Sequence, residues 1–149
     1  MSDLRELYQE LIVDHGRHPR HFGQLEHANH VKAGYNPLCG DQLTFYALEK
    51  NGVIETASFE GAGCAISMAS ASLMIEALIG KTIVEADALF QAFHDMLTQG
   101  VSSEQPELLG KLIVLSGVTE FPARVKCATL AWHTMQAALH DHTQPVSTE

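Results

Sequence analysis

The sequence predicts a mixed fold in which one helix precedes a hairpin-based sheet and several helices follow it. The hairpin is indicated by Asn51 and Gly52 between two alternating segments, the strongest short-range signal for a two-residue type I′ turn. Thr82 and Glu85 have the spacing of a capping box, which indicates the start of a later helix. With 149 residues, of which 46% are hydrophobic, the chain is long enough for one domain with a hydrophobic core.

The remaining elements follow from hydrophobic spacing and from breaker residues. Segment 112–115 is apolar and is compatible with either a helix or a strand. We expect residues 1–141 to form a single domain and residues 142–149 to be a disordered tail. The predicted elements are a helix from Ser2 or Asp3, a strand over 31–35, the hairpin strands 42–50 and 53–60, a helix from Cys64 that Gly80 stops, a helix opened by Thr82, and a last helix over 122–140 with Phe121, Val125, Ala128, Trp132, Met135 and Leu139 facing the core.

Composition excludes several classes of protein. The formal net charge of -9 argues against a general nucleic-acid or anionic-membrane binder. The charged N-terminus has no signal-peptide apolar region, and no apolar run approaches the roughly 20 residues of a membrane span. We therefore expect a cytoplasmic protein whose three cysteines are reduced, and for reduced cysteines a metal site or a reactive thiol is the better interpretation.

Two cysteines and an aspartate converge at the open end of the predicted hairpin. The turn pairs Lys50 with Val53, and the same register carried outward puts Cys39 opposite Cys64. Directly opposite residues have Cβ atoms roughly 4.5–5.5 Å apart, so two such thiolates could share one metal ion. Asp41 lies two residues from Cys39 and so faces the same side of an extended chain.

Cys127 is the third candidate ligand. It lies on the last predicted helix, roughly 100° to one side of the apolar stripe, and shares its surface with Arg124. Cys64 follows a Gly-Ala-Gly approach and opens a helix, where the helix N-terminus favours the thiolate. Three thiolates and one carboxylate suit tetrahedral zinc. The alternative, that each cysteine is a small buried hydrophobe, fits one isolated cysteine better than three whose neighbours include glycines.

Three segments, each surrounding one cysteine, carry a family resemblance. They are NPLCGD at 36–41, GAGCAIS at 61–67 and RVKCA at 124–128. Together they resemble the signature motifs of the IscU/NifU iron–sulfur scaffold superfamily, over nearly the whole chain, and most closely its SufU branch. Lys126 stands where IscU has a histidine, and FPARVK at 121–126 replaces the Leu-Pro-Pro-Val-Lys chaperone-recognition motif of IscU.

The resemblance implies a fold, a metal site and partners. The implied fold is α+β, an antiparallel three-stranded sheet with about five helices packed on one face. The implied partners are a SufS-type, pyridoxal-phosphate cysteine desulfurase, which would hand over persulfide sulfur, and downstream iron–sulfur assembly proteins. The implied zinc ligands are Cys39, Asp41, Cys64 and Cys127.

Two functions remain open on these grounds. In the first, the protein is a zinc-dependent sulfurtransferase whose acceptor is Cys39, the most movable cysteine because it lies in a Pro-Leu-Cys-Gly turn. In the second, it is a non-catalytic scaffold on which a [2Fe–2S] or [4Fe–4S] cluster is assembled. The missing histidine favours the first, and a zinc hydrolase is disfavoured because no HExxH-like element is present. Arg124 and Lys126 could offset the negative charge of the site, or could be ordinary solvated helix charges.

The histidines of the segment after the first helix have a simpler interpretation. Their spacing does not fit a metal site, and we expect them to be surface residues of an irregular connector. They are His15, His18, His21, His27 and His30.

Overall fold

The computed structural model describes residues 2–37, 40–99, 109–140 and 146–147 of the chain. In these residues it has four α-helices, one 3₁₀ helix and one sheet, so the predicted α+β class is confirmed. The elements are α1 (Ser2–Arg17), β1 (His30–Asn36), β2 (Asp41–Lys50), β3 (Val53–Ala62), α2 (Ala65–Leu78), α3 (Ile83–Gln99), the 3₁₀ helix (Gly110–Glu120), α4 (Pro122–Leu139) and β4 (Val146–Ser147).

The sheet has the strand order β3-β2-β1-β4. The pairs β1–β2 and β2–β3 are antiparallel, as predicted, whereas the short β4 runs parallel to β1 beside Gly34 and Tyr35. β4 belongs to the segment 142–149, which the sequence predicts to be disordered, and the other residues of that segment lie outside the described residues. Val146 and Ser147 thus extend the three-stranded antiparallel sheet by one short strand.

The hairpin turn has the predicted type. Asn51 and Gly52 both have positive φ, 55° and 81°, as a type I′ turn requires. Lys50 pairs with Val53 on either side of it. The local sequence signal therefore predicts the turn and the first pair correctly.

The register farther from the turn differs from the prediction by one residue. Leu48 pairs with Thr56 rather than with Glu55, so Glu55 is the extra residue of a β-bulge. Side chains alternate along a strand, so without the bulge Ile54 and Ala57 would face opposite sides of the sheet. Both are buried, and the bulge lets both face the core.

The core lies between one face of the sheet and the helices. Leu43, Phe45 and Ala47 of β2 are buried on that face, as their alternation predicts. α4 packs against β1 and β2, and α2 packs against β3 and α4. Trp132 of α4 is fully buried and stacks on Phe93 of α3, with ring centroids 4.3 Å apart. The sheet and α4 thereby position the connected end of the β1–β2 pair, where Asn36 lies opposite Asp41, beside the first turns of α4.

Several helix details follow the sequence and two do not. The capping box is confirmed: the Thr82 N–H donates to Glu85 Oε1 at 3.0 Å, and the Glu85 N–H donates to Thr82 Oγ1 at 3.0 Å. The ambiguous segment 112–115 is part of the 3₁₀ helix. Phe121 does not face the core, because it precedes the first turn of α4 as its N-cap and is 59% exposed.

His15 also departs from the prediction. It lies inside α1, which continues to Arg17, and it is buried rather than at the surface. Its Nδ1 is 2.7 Å from the Ser72 hydroxyl of α2. Burial follows from the packing of α1 on α2, which the local histidine-rich composition does not reveal.

Among the residues that the structure describes, no helix is long and apolar enough to cross a membrane.

Candidate metal centre

Three of the four predicted ligands lie together. One ligand atom each of Asp41, Cys64 and Cys127 can be chosen so that all three lie within 4.8 Å of one another. They come from the start of β2, the N-cap of α2 and the second turn of α4. Cys39, the fourth predicted ligand and the predicted sulfur acceptor, lies outside the described residues. The fold therefore brings a carboxylate and two thiols from distant parts of the chain to one place.

Asp41 reaches Cys64 through two contacts. Its carboxylate Oδ1 accepts a hydrogen bond from the Cys64 backbone N–H at 2.9 Å, and Oδ2 lies 3.9 Å from Cys64 Sγ. The residue is buried, with 1% of its surface exposed. A Cβ atom on Gly63 would lie 2.6 Å from Asp41 Oδ1, so the carboxylate occupies the space that glycine leaves free. The absence of a side chain at residue 63 is what allows this approach.

Cys64 is the N-cap of α2. Its backbone is extended, and its Sγ accepts a hydrogen bond from the Ser67 N–H at 3.4 Å, as N-cap side chains do. The N–H groups at a helix N-terminus favour negative charge on the sulfur. The side chain is half-buried, so Cys64 is the more accessible of the two described cysteines.

Cys127 is more buried than the sequence predicts. The helical stripe places it on a flank of α4, but only 1% of its surface is exposed. The reason is that α4 packs against β1, so that Asn36 at the end of β1 covers this flank. The Asn36 Nδ2 lies 3.8 Å from Cys127 Sγ, and the Cys127 thiol donates to the Ala123 carbonyl at 3.6 Å.

The hairpin register does not account for this convergence in the way that the sequence suggests. The β2–β3 pairing ends at Gln42 and Ala62 after the bulge. Carried outward, the shifted register aligns Cys64 with Gly40 instead of Cys39. The predicted register, which puts Cys39 opposite Cys64, is therefore wrong by one residue beyond the bulge, and Cys39 itself lies outside the described residues. The described part of the site is assembled by the Asp41 carboxylate, which reaches Cys64 past Gly63.

The two basic residues proposed as charge support lie near the start of α4. Arg124 is exposed and Lys126 is half-buried. Within the described part of the chain, neither forms an ion pair. Their role at the site stays a prediction.

Sequence reasoning did not single out Asn36 as a site residue. It is buried, it lies directly opposite Asp41 in the β1–β2 pair, and it contacts Cys127. The available signal was its place as the first residue of the segment 36–41, directly after the predicted strand 31–35.

The described residues fit a thiolate-binding metal. Zinc bonds of about 2.0–2.3 Å to oxygen and sulfur place tetrahedral donor atoms roughly 3.5–3.8 Å apart. Donor atoms that already lie within 4.8 Å need to approach by only about 1 Å to share one ion. Soft thiolates with one carboxylate suit zinc or iron, and do not suit magnesium or calcium, which prefer all-oxygen sites.

Comparison with known proteins shows the family of the chain. Residues 7–147 match the family model described as the NifU-like N-terminal domain. The chain belongs to this family. The predicted resemblance to the IscU/NifU superfamily is thus confirmed over nearly the whole chain.

Relatives of this NifU-like domain carry two kinds of name. The chain is 42% identical over 135 residues to the zinc-dependent sulfurtransferase SufU of Bacillus subtilis (strain 168), which covers 91% of this chain and 90% of the relative. It is 40% identical over 139 residues to the iron–sulfur cluster assembly scaffold protein IscU of Streptococcus pyogenes serotype M1. This alignment covers 93% of this chain and 86% of the relative.

Solved structures share the fold. A crystal structure of a candidate iron–sulfur cluster assembly scaffold protein for the SUF system, from thermophilic Fervidobacterium islandicum AW-1, matches with a TM-score of 0.84 and 38% identity, covering 91% of this chain and 98% of that one. The N-terminal part of a nitrogen-fixing NifU-like protein from Brucella abortus matches with a TM-score of 0.81 and 25% identity. The match covers 92% of this chain and 94% of that one.

Proposed function

We propose that this protein accepts persulfide sulfur from a cysteine desulfurase and relays it for iron–sulfur cluster assembly, in a zinc-dependent manner. The observation that carries the proposal is the convergence of Asp41, Cys64 and Cys127 in a chain of the NifU-like family. The relative named a zinc-dependent sulfurtransferase supports it, at 42% identity.

The proposed zinc ligands are the described trio together with Cys39. Bound zinc would supply a charge that keeps the cysteine sulfurs as thiolates at neutral pH. The Cys64 N–H holds the Asp41 carboxylate in place, and the Ser67 N–H stabilises charge on Cys64. With three thiolates and a carboxylate around a divalent ion, the site carries a formal excess of two negative charges, which Arg124 and Lys126 would offset.

Cys39 is the proposed acceptor. Its thiolate attacks the outer sulfur of the desulfurase persulfide, and a new S–S bond forms on Cys39. The S–S bond within the donor breaks, and the desulfurase cysteine leaves as a thiolate. No oxidant or reductant is needed, because one persulfide is exchanged for another.

The alternative is a scaffold that holds a [2Fe–2S] or [4Fe–4S] cluster and is not an enzyme. The relative from Streptococcus pyogenes, named a scaffold, favours it, and thiolates are the usual ligands of such clusters. The two functions share the same residues, so only an activity measurement separates them.

The test measures alanine release by a cysteine desulfurase with and without the zinc-loaded protein. We expect stimulation, with persulfide trapped on Cys39, and we expect Cys39→Ser to return the rate to the unstimulated value. The Cys64→Ser and Cys127→Ser variants serve as comparison, because they remove proposed ligands and should lower zinc content.

Two results would contradict the relay. Persulfide trapped on Cys64 or Cys127 would move the acceptor role away from Cys39. An unstimulated desulfurase, together with a stable cluster after reconstitution with iron and sulfide, would establish the scaffold instead.

A further inference from the structure

Asn36 is a buried polar residue at the edge of the candidate site. It ends β1, lies directly opposite Asp41, and has 1% of its surface exposed. A buried amide without hydrogen bonds is costly, so a buried asparagine is held by its partners. One of these partners, the Cys127 sulfur, is a proposed ligand of the site.

The side chain of Asn36 faces the Cys127 sulfur. Its Nδ2 lies 3.8 Å from Sγ, across 91 residues of sequence. A thiolate can only accept hydrogen bonds, and the asparagine Nδ2 can only donate them. The contact is therefore attractive when Cys127 is ionised, and the N–H withdraws negative charge from the sulfur.

The backbone of Asn36 is hydrogen-bonded to Gly40, the residue before β2. Its carbonyl accepts a hydrogen bond from the Gly40 N–H at 2.9 Å, which closes the connection between β1 and β2. Asn36 thus belongs to β1, accepts a hydrogen bond from Gly40 at the end of the 37–40 connection, and contacts the buried Cys127 of α4.

We infer that Asn36 is a positioning residue that holds the Cys127 sulfur through an N–H···S hydrogen bond and makes it the retained, unreactive ligand of the centre. The inference rests on the proposed metal site. It assigns different tasks to the cysteines: Cys127 is buried and hydrogen-bonded by an amide, whereas Cys64 is half-buried at a helix N-terminus. Hydrogen bonds to a coordinating sulfur are known to tune such sites.

The experiment compares Asn36→Asp and Asn36→Ala with the wild type. Asn36→Asp keeps the shape of the side chain but replaces the donor with an acceptor. Asn29→Asp is the matched control, because Asn29 lies beside the other end of β1 and donates its Nδ2 to the Glu49 carbonyl at 2.7 Å. Each protein is loaded with Co²⁺, and its thiolate-to-cobalt absorption bands and its metal release to a chelator are recorded.

We expect both Asn36 variants to shift the thiolate-to-cobalt bands to lower energy, because an unbonded sulfur gives up its electrons more readily. We also expect metal affinity to fall about 10–100-fold, the usual effect of removing a partner behind a metal ligand. The control should match the wild type in both respects. Unchanged bands and release in the Asn36 variants would overturn the inference.

A second measurement does not depend on the variants folding. In wild-type protein loaded with ¹¹³Cd, a scalar coupling between the metal and the Asn36 side-chain amide proton would show the N–H···S bond directly. Its absence, with couplings to the cysteine β protons present, would refute the inference.

The failure of the proposed site would look different. If the wild type binds neither Co²⁺ nor Cd²⁺ through thiolates, the metal site is wrong. The role of Asn36 is then judged by alkylation of Cys127 in the metal-free folded protein, which should be faster in Asn36→Ala than in wild type. An equal rate would overturn the inference separately.

Discussion

At the scale of single residues, the candidate site depends on one close approach. The Asp41 carboxylate sits where a side chain of residue 63 would be, and it holds the backbone N–H of Cys64 at the start of α2. A charged hydrogen bond of this kind is worth about 1.5–3 kcal/mol. The geometry of the site therefore depends on Gly63 as directly as on its ligands.

Gly63→Ala should disrupt the site without unfolding the protein. The new Cβ would lie 2.6 Å from Asp41 Oδ1, so the carboxylate must move away from the Cys64 N–H. We expect zinc affinity, measured by competition with a chelator, to fall by about tenfold or more, since the lost bond corresponds to at least one decade.

Gly117→Ala is the control for this substitution, because a Cβ there meets no atom within 4 Å. Equal zinc affinity in the Gly63 variant, the Gly117 variant and the wild type would mean that the Asp41 carboxylate does not need its observed position.

At the scale of elements, the buried His15 of α1 is hydrogen-bonded to Ser72 of α2. The Ser72 hydroxyl accepts a hydrogen bond from the Arg20 N–H at 2.8 Å, so its own proton is available to His15 Nδ1 at 2.7 Å. His15 Nε2 then directs its proton toward Glu76, 3.6 Å away. This arrangement suits a neutral imidazole.

The environment of His15 favours that neutral form. Burial lowers the pKa of His15 below its ordinary value of 6.5, the Arg20 cation lowers it further, and the Glu76 carboxylate opposes them. Asp14 also raises this pKa, and Lys111 lowers it. The folded protein therefore binds a proton at His15 less readily than the unfolded chain does.

Stability should fall as pH is lowered through this region. Between the folded-state pKa and 6.5, the unfolded chain binds more protons at His15, so the free energy of unfolding rises with pH and is fully regained above about 6.5. Urea unfolding between pH 5 and 8 should show a shallower pH slope in His15→Gln than in the wild type.

His18→Gln is the control, because His18 is exposed. Part of the slope should persist in His15→Gln, since burial also lowers the pKa of His133. If the free energy of unfolding has the same pH slope in the wild type and in both variants, the buried His15 does not contribute to the pH dependence of stability.

At the scale of the whole molecule, the candidate centre joins elements that are far apart in the sequence. Its described ligands belong to β2, the cap of α2 and α4, which are also the elements around the core. These three ligands converge only in the folded chain, so metal binding and folding are coupled.

Removal of zinc should lower the melting temperature. At a free zinc concentration of about 100 times Kd, binding to the folded state adds about 2.7 kcal/mol. For a domain of this size that corresponds to a shift of roughly 5–10 °C. Calorimetry with and without a chelator measures it, and Cys64→Ser should respond much less. An unchanged melting temperature in the wild type would show that the protein carries no metal at this site.

Local signals in the sequence predicted the local structure well. The Asn51–Gly52 turn and the capping box of Thr82 and Glu85 are confirmed, because their geometry depends on residues within a few positions of each other. The motifs around the cysteines predicted the family, and three of the residues that they suggest as ligands lie close together in the structure.

Long-range packing decided the rest. The bulge at Glu55 arises because Ile54 and Ala57 both have to reach the core, and the strand alternation alone does not show where the core lies. The burial of His15 depends in the same way on α2, which lies about fifty residues away.

The sequence by itself therefore determined the class of fold, the family and the candidate metal ligands. Only the tertiary structure decided how those residues meet: the carboxylate of Asp41 passes Gly63 to reach Cys64, and Asn36 covers Cys127. The physical reason is that residue chemistry and turn geometry are local properties. Burial and the distance between ligands depend instead on how α4 and α2 pack against the sheet.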